Sequence, residues 1–259
     1  MSVVPTMLTY MLNFTDRDQY DVSSLEHVGS GGAPMPEAVR VEFEKVFGCT
    51  VKQGYGLSET GAAFTGYRWD EPYRTGSVGR PLAGIEACIL DNENRRLAPG
   101  QSGEICARGP NITRGYLNKE QATREALVDD WLHTGDIGHM DADGYIFITD
   151  RKKDLIIKGG ENISPTEIEE GIYAHPAISE AAVFGVADDR FGENLAAAVV
   201  LRSGTTMTEA ELQEHLSSHV AKFKIPACVV FLDELPKNNT GKIQKRALRD
   251  RFADLKVES

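Results

Sequence analysis

Pro236-Lys237-Asn238-Asn239-Thr240-Gly241-Lys242-Ile243-Gln244-Lys245 sets a lysine at the tip of a Gly-containing turn. An apolar strand over 229–232 leads into the turn, and a basic helix is expected to leave it from about Ile243. Asn-Asn-Thr-Gly is ordinary turn chemistry, since Gly takes positive φ freely and Asn tolerates it. A turn tip is equally a place from which a lysine reaches into a reaction centre, because loops on a rigid scaffold commonly carry function. Taken alone, the stretch leaves both readings of Lys242 open. The segments around it decide.

Upstream of the turn, the chain from Asp150 reads as a small α+β domain. Ser164-Pro165-Thr166-Glu167 has the grammar of a helix start, with Ser as N-cap, Pro at the first helical position and Glu three residues past the cap. Strands are expected over 180–185 and 196–201, then an amphipathic helix marked by Leu212, Leu216 and Val220 at i, i+4 and i+8. Residues 1–75 read instead as α/β, with a helix over 35–47 and a strand over 49–53 that runs into a Gly-rich loop. Residues 76–150 are β-rich, with strands expected over 86–90, 103–108 and 145–149 separated by turn residues. The expected fold is thus an α/β and β-rich domain over 1–150, followed by a small α+β domain over 151–259.

Composition narrows the function classes. With 259 residues, 41% apolar and 26% charged, the chain can bury a sizeable core. A net charge of −11 provides no broad basic field for a nucleic-acid or anionic membrane partner. No run approaches the ~18 apolar residues of a membrane span. Cys49, Cys88, Cys106 and Cys228 lie far apart without CxxC spacing, which fits a reducing, cytoplasmic setting better than a disulfide framework or a zinc site.

Four further segments hold candidate chemistry. In Gly29-Ser30-Gly31-Gly32-Ala33-Pro34-Met35-Pro36, the glycines let a ligand approach the backbone, although a plain βα turn has the same composition. In Gln53-Gly54-Tyr55-Gly56-Leu57-Ser58-Glu59-Thr60, an aromatic between two glycines suits a purine face. There Ser58 suits a phosphate and Glu59 suits Mg²⁺. A strand end with a solvated Glu is the bland alternative. Trp131-Leu132-His133-Thr134-Gly135-Asp136 ends in a carboxylate able to accept two ribose hydroxyls, while His133 reads as packing beside Trp131. The stretch 150–162 joins a charge cluster at Arg151, Lys152, Lys153 and Asp154 to the Gly159-Gly160 pair, read as a hairpin turn or as a hinge and a smooth passage wall. His215 and His219 have metal-compatible spacing but no third ligand, so helix surface polarity is expected. Asp141-Ala142-Asp143-Gly144 starts like a calcium loop, but Lys152 stands where the twelfth-position Glu is required, so a hairpin turn is expected.

In this order, the five segments resemble the AMP-forming adenylate superfamily of acyl-CoA synthetases, beetle luciferases and peptide-synthetase adenylation domains. The match runs from Val4-Pro5-Thr6 to Arg249. The resemblance implies a two-step reaction: an acid and MgATP give acyl-AMP and pyrophosphate, then coenzyme A displaces AMP. It implies that Gly32, Ala33, Gly54, Tyr55 and Gly56 frame the adenine, with Ile148 near the base and Asp136 and Arg151 on the ribose. Ser58 would contact phosphate, where the family more often has Thr, and Glu59 would hold Mg²⁺. Lys242 would bridge the acid and the α-phosphate in the first step only. Lys153 falls at the family's hinge, and rotation there would bring Lys158, Gly159 and Gly160 to the pantetheine tunnel. His27, Gly29, Ser30, Gly31, Gly61 and Ala62 would border the acyl pocket.

The family's Ser/Thr/Gly-rich phosphate loop has no counterpart in this sequence, since Gly241-Lys242 lacks Walker A spacing. The resemblance therefore covers the C-terminal half of a synthetase, and a missing N-terminal half or an oligomer contact is expected to cover its apolar faces. Two other readings stay open: an amino-acid adenylation domain, and a non-catalytic nucleotide-binding module.

Overall fold

The computed structural model describes residues 1–238, 241, 243–253 and 255, so the expected catalytic Lys242 lies outside the described residues. The chain divides into two compact units, Met1–Ile148 and Thr149–Ser259.

The first unit opens with a parallel sheet of β1 (Ser2–Val3), β2 (His27–Ser30) and β3 (Thr50–Gln53). Helices α1 (Pro5–Asn13) and α2 (Glu37–Phe47) form the two crossovers. Alternation along the strands sends Val3, Val28 and Val51 to one face, where they pack with Leu8 and Phe43 of the helices. Helices of 9 and 11 residues are marginal alone in water, so this burial rather than propensity holds them. α2 starts at Glu37, two residues after the expected position, because Pro36 takes an extended conformation as its N-cap.

Antiparallel strands make up the rest of this unit. β4 (Tyr55–Leu57), β5 (Ala62–Gly66) and β6 (Arg80–Pro81) form one sheet. A second is built from β7 (Glu86–Leu90), β8 (Gly103–Arg108), β9 (Leu127–Val128), β10 (Trp131–Met140) and β11 (Ile146–Arg151), with helix α3 (Glu120–Ala126) between β8 and β9. Phe64, Ile105 and Ile146, all fully buried, form the core of these strands. The turn at Asp141 links β10 to β11 as expected. Its carboxylates are taken by Arg74, which pairs with both Asp141 and Asp143.

In the second unit, β12 (Ile156–Lys158), β13 (Glu161–Ile163), β14 (Ile178–Asp188), β15 (Gly192–Leu201) and β16 (Cys228–Phe231) form one sheet in the order β13-β12-β15-β14, with β16 on β15. Helices α4 (Pro165–Tyr173) and α5 (Glu209–Ser217) precede α6 (Lys245–Arg251). β14 and β15 read as unbroken apolar runs because both their faces are buried. Ala181, Val183, Leu195, Ala197 and Val199 pack with α4 and α5 residues on one side. Ala182, Phe184, Val186, Ala196 and Ala198 pack with Leu248 of α6 on the other. β14 runs past both expected ends, and β15 starts earlier than expected and ends at Leu201 as expected. Val220 lies beyond the end of α5 yet remains in the core, and α6 begins at Lys245 because Ile243 instead pairs with Lys237 across the turn. The Gly159-Gly160 pair is a two-residue hairpin turn with positive φ at both positions, the geometry that matches strand twist. No helix among the described residues is long and apolar enough to cross a membrane.

The start of α4 departs from expectation. Ser164 makes no side-chain cap; its hydroxyl donates to Asp150 Oδ2 at 2.8 Å. Asp150 does the capping, accepting from Thr166 N–H at 3.0 Å on the same oxygen and from Arg151 N–H at 2.7 Å on the other. A buried carboxylate with two oxygens is the stronger acceptor, so the serine is left to donate.

Asp150→Ala is expected to cost the second unit about 2–3 kcal/mol, against less than about 1 kcal/mol for Ser164→Ala. Amide exchange within α4 reads both; equal losses would return the cap to Ser164.

Candidate functional site

Most of the candidate residues of the first unit lie on or beside β2, β4 and β10. Ser30 O accepts from Gly54 N–H at 2.9 Å, and Ala33 O accepts from Gln53 Nε2 at 3.4 Å, so the 29–36 loop lies against the start of β4. Tyr55 then reaches across 81 residues of sequence to donate its hydroxyl to Asp136 Oδ2. Its ring meets Phe64 edge-on at 5.0 Å and packs in the same cluster as Ile148. The structure therefore brings together Gly32, Ala33, Gly54, Tyr55 and Gly56, and joins Tyr55 to Asp136 and Ile148. Arg151 belongs to the second unit.

Gly56 has a second reason to be glycine. A Cβ there would lie 1.7 Å from Ala62 O of the paired strand, an impossible contact. Ala62 itself has φ +96°, rare for a residue with a Cβ. The paired strand β5 therefore leaves no room for a side chain at this position. Gly32, with φ +81° and Val4 Cγ1 at 3.6 Å, is open by comparison.

Asp136 is buried and held by a relay on β10. Thr134 Oγ1 donates to Ile105 O at 2.7 Å and accepts from Asp136 N–H at 3.1 Å. Glu104 Oε1 accepts from Gly135 N–H at 3.0 Å, and its other oxygen lies 3.1 Å from His133 Nδ1. His133 is thus the hydrogen-bond partner of Glu104, which corrects its reading as mere packing. A carboxylate on the neighbouring strand sets this imidazole's orientation, and no pattern local to His133 announces it.

The Ser58–Thr60 turn is clamped from the 111–116 segment. Asn111 Nδ2 donates to Thr60 O at 2.7 Å, Thr113 N–H to Glu59 O at 2.7 Å, and Tyr116 OH to Glu59 Oε1 at 2.7 Å. That bond to Glu59 raises the Tyr116 phenol above its ordinary value. Ser58 is exposed and Gly61 has φ +61° just past the turn. On β2, His27 stacks on Trp69 with ring centres 4.8 Å apart, while its Nδ1 and the Ser30 hydroxyl are buried without a partner among the described residues. Lys52, on the same face of the sheet as His27, is buried, its ammonium donating to the carbonyls of Arg68 and Trp69 at 2.8 Å.

In the second unit, Lys153 lies exposed in a single 3₁₀ turn, Lys152–Asp154. Lys158 donates to Phe223 O at 3.1 Å, and partial burial lowers its ammonium below the ordinary lysine value. Gly159 N–H donates to Phe191 O at 2.9 Å, so the hairpin is tied to the β14–β15 turn. His215 and His219 hold no metal cluster among the described residues. His215 is half-buried with Nε2 3.0 Å from Gly171 O, and His219 is exposed just beyond the end of α5.

Tyr116, Glu104, Lys52 and Asp150 were not singled out by the sequence. Each acts through a partner distant along the chain, and short motifs carry no trace of such pairs.

An α/β unit continued by antiparallel sheets matches solved structures of adenylate-forming enzymes. Family models agree on both parts of the chain: "AMP-binding enzyme" matches residues 1–117 and "AMP-binding enzyme C-terminal domain" matches residues 167–242. The chain belongs to the AMP-binding enzyme family. It is 42% identical over 246 residues to a long-chain-fatty-acid–CoA ligase of Bacillus subtilis, covering 94% of this chain and 44% of that protein. To the fatty acid–[acyl-carrier-protein] ligase ScoC of Streptomyces coeruleorubidus it is 41% identical, covering 96% and 49%. Among solved structures, ATP-bound MatB from Rhodopseudomonas palustris superposes with a TM-score of 0.90 at 36% identity, over 98% of this chain and 51% of that one. The chain spans about half the length of the relatives it matches.

Gly56→Ala is expected to destabilise the first unit by about 3 kcal/mol or more, and Gly32→Ala by about 1 kcal/mol. Urea unfolding followed by the fluorescence of Trp69 and Trp131 separates them; near-native stability of Gly56→Ala would contradict the 1.7 Å contact.

Proposed function

We propose that this chain supplies the nucleotide-holding and mobile-domain part of an AMP-forming acyl-CoA synthetase acting on a fatty or other carboxylic acid. The observation that carries this reading is the joining of Tyr55 to the buried Asp136, with Ile148 packed in the same cluster as Tyr55, in a chain 42% identical to a fatty-acid ligase. In the first step the acid's carboxylate oxygen attacks the α-phosphate of ATP, forming the acyl O–P bond as the bond to pyrophosphate breaks. In the second, the thiolate of coenzyme A attacks the acyl carbon and AMP leaves.

Charge placement is the main device for such a reaction, because the phosphoryl oxygens carry the negative charge. Asp136 and Arg151 hold the ribose, Gly32, Ala33, Gly54, Tyr55 and Ile148 border the base, and Ser58 meets phosphate. Gly56 borders the base as well, and its lack of a side chain keeps β4 close to β5. Glu59 fits Mg²⁺ by its chemistry, as an oxygen donor on a turn held rigid by Tyr116 and Thr113. When bound, the ion would withdraw charge from the phosphates. Lys242 bridges the acid and the α-phosphate. Lys153 is the hinge between the two steps, and Lys158, Gly159 and Gly160 guide the pantetheine. His27, Gly29, Ser30, Gly31, Gly61 and Ala62 border the acyl group.

The similarity to an acyl-carrier-protein ligase favours a second acceptor. A carrier presents the same pantetheine thiol, so this reading changes the partner and leaves the chemistry intact.

AMP release from MgATP tests the reading, with coenzyme A and a panel of short, long and aromatic acids. It is measured on the purified chain and on the chain joined to the upstream half of the Bacillus subtilis relative. Acid-dependent release is expected; release by neither protein would leave a nucleotide-binding module. Asp136→Ala should weaken AMP binding about tenfold or more, the loss of hydrogen bonds to a charged acceptor. An unchanged dissociation constant would remove Asp136 from the ribose.

A further inference from the structure

Helix α6 begins three residues after Lys242 in the sequence and is fastened at both ends. At its start, Lys245 Nζ lies 2.8 Å from Glu169 Oε1 of α4, an oxygen that also accepts from Val183 N–H of β14 at 2.7 Å. Burial pushes the Glu169 carboxyl up, and the Lys245 ammonium opposes that. The other end of the turn is fastened too: Lys237 pairs with Glu180 of β14, and Gln244 N–H donates to Pro236 O at 2.8 Å across its base. Lys237 and Lys245, on either side of this stretch, are therefore fixed to β14 and α4 by ion pairs.

One helical turn beyond Lys245, Arg249 reaches the other way. Its guanidinium donates from Nη1 to Lys153 O at 3.1 Å and from Nη2 to Asp154 O at 3.2 Å. These are main-chain carbonyls of the 3₁₀ turn that holds the hinge candidate. Rotation about the backbone at Lys153 redirects the carbonyls of that turn, so the two bonds belong to one hinge conformation. Arg249 Nε is buried without a partner among the described residues. A dry, unpaired donor on a cation is costly, so the guanidinium gains wherever a changed hinge offers it another acceptor.

We propose that Arg249 is a positioning residue that ties the hinge turn at Lys153 to the helix carrying the Lys242 turn, so that hinge conformation and lysine placement change together. The proposal rests on the synthetase reading for what Lys242 does, but the tie itself is a property of the second unit. Arg249 acts through the carbonyls of Lys153 and Asp154, at the opposite end of α6 from Lys245.

Arg249→Gln and Arg249→Lys test this in two assays. Amide exchange on the purified chain is independent of catalysis: Arg249→Gln should speed exchange about tenfold or more both at residues 152–155 and across 236–244, with α4 and β14 unchanged. Unchanged exchange at 152–155, or faster exchange spread over the whole unit, would overturn the tie. In whichever protein form is active, Arg249→Gln should lower kcat for acid-dependent acyl-AMP formation about tenfold, leaving KM for ATP and acid unaltered. Thioester formation from supplied acyl-AMP should stay within about threefold, and Arg249→Lys should recover part of the first step. Equal loss of both half-reactions would reduce Arg249 to a structural residue. If the unsubstituted protein makes no acyl-AMP, the synthetase reading falls, and the exchange pattern alone upholds or overturns the tie.

Discussion

The Asp150 carboxylate organises the second unit. It stands at the unit's first residues, is almost completely buried, and accepts hydrogen bonds from Arg151 N–H, Ser164 Oγ and Thr166 N–H. A charge so placed is tolerable only with its donors in position, which fixes the path of the chain leaving β11 and the start of α4 together. From α4, Glu169 reaches Lys245 and so sets α6; from α6, Arg249 returns to the Lys152–Asp154 turn, only a few residues from Asp150. The polar contacts form a loop around an apolar sheet whose two buried faces provide the stabilising area.

In the first unit the comparable constraint is close backbone approach. β4 and β5 pack so tightly that Gly56 has no room for a side chain, and Ala62 is left with positive φ. This crowding fixes Tyr55 where its hydroxyl meets Asp136, while Glu104 and Thr134 fix Asp136 from the opposite direction. Rigid support of this kind keeps a binding group in a productive geometry.

The sequence made legible whatever depends on period, turn chemistry or an ordered set of motifs. Continuous apolar runs marked β14 and β15, the Gly159-Gly160 pair marked a hairpin, and the five ordered segments marked the family. Competing acceptors stayed hidden. Ser164 has every local mark of an N-cap, yet Asp150, fourteen residues earlier, is the stronger acceptor and takes its place. His133 looked like packing until β8 brought Glu104 beside it. Each error arises where strand pairing or a long-range charge overrides a local pattern.

Lys242 is the residue on which the catalytic reading turns, and separating the two half-reactions tests it most directly. In an active form of the protein, Lys242→Ala should abolish acyl-AMP formation while thioester formation from supplied acyl-AMP and coenzyme A continues near its original rate. Equal loss of both steps would contradict a lysine that serves adenylation alone.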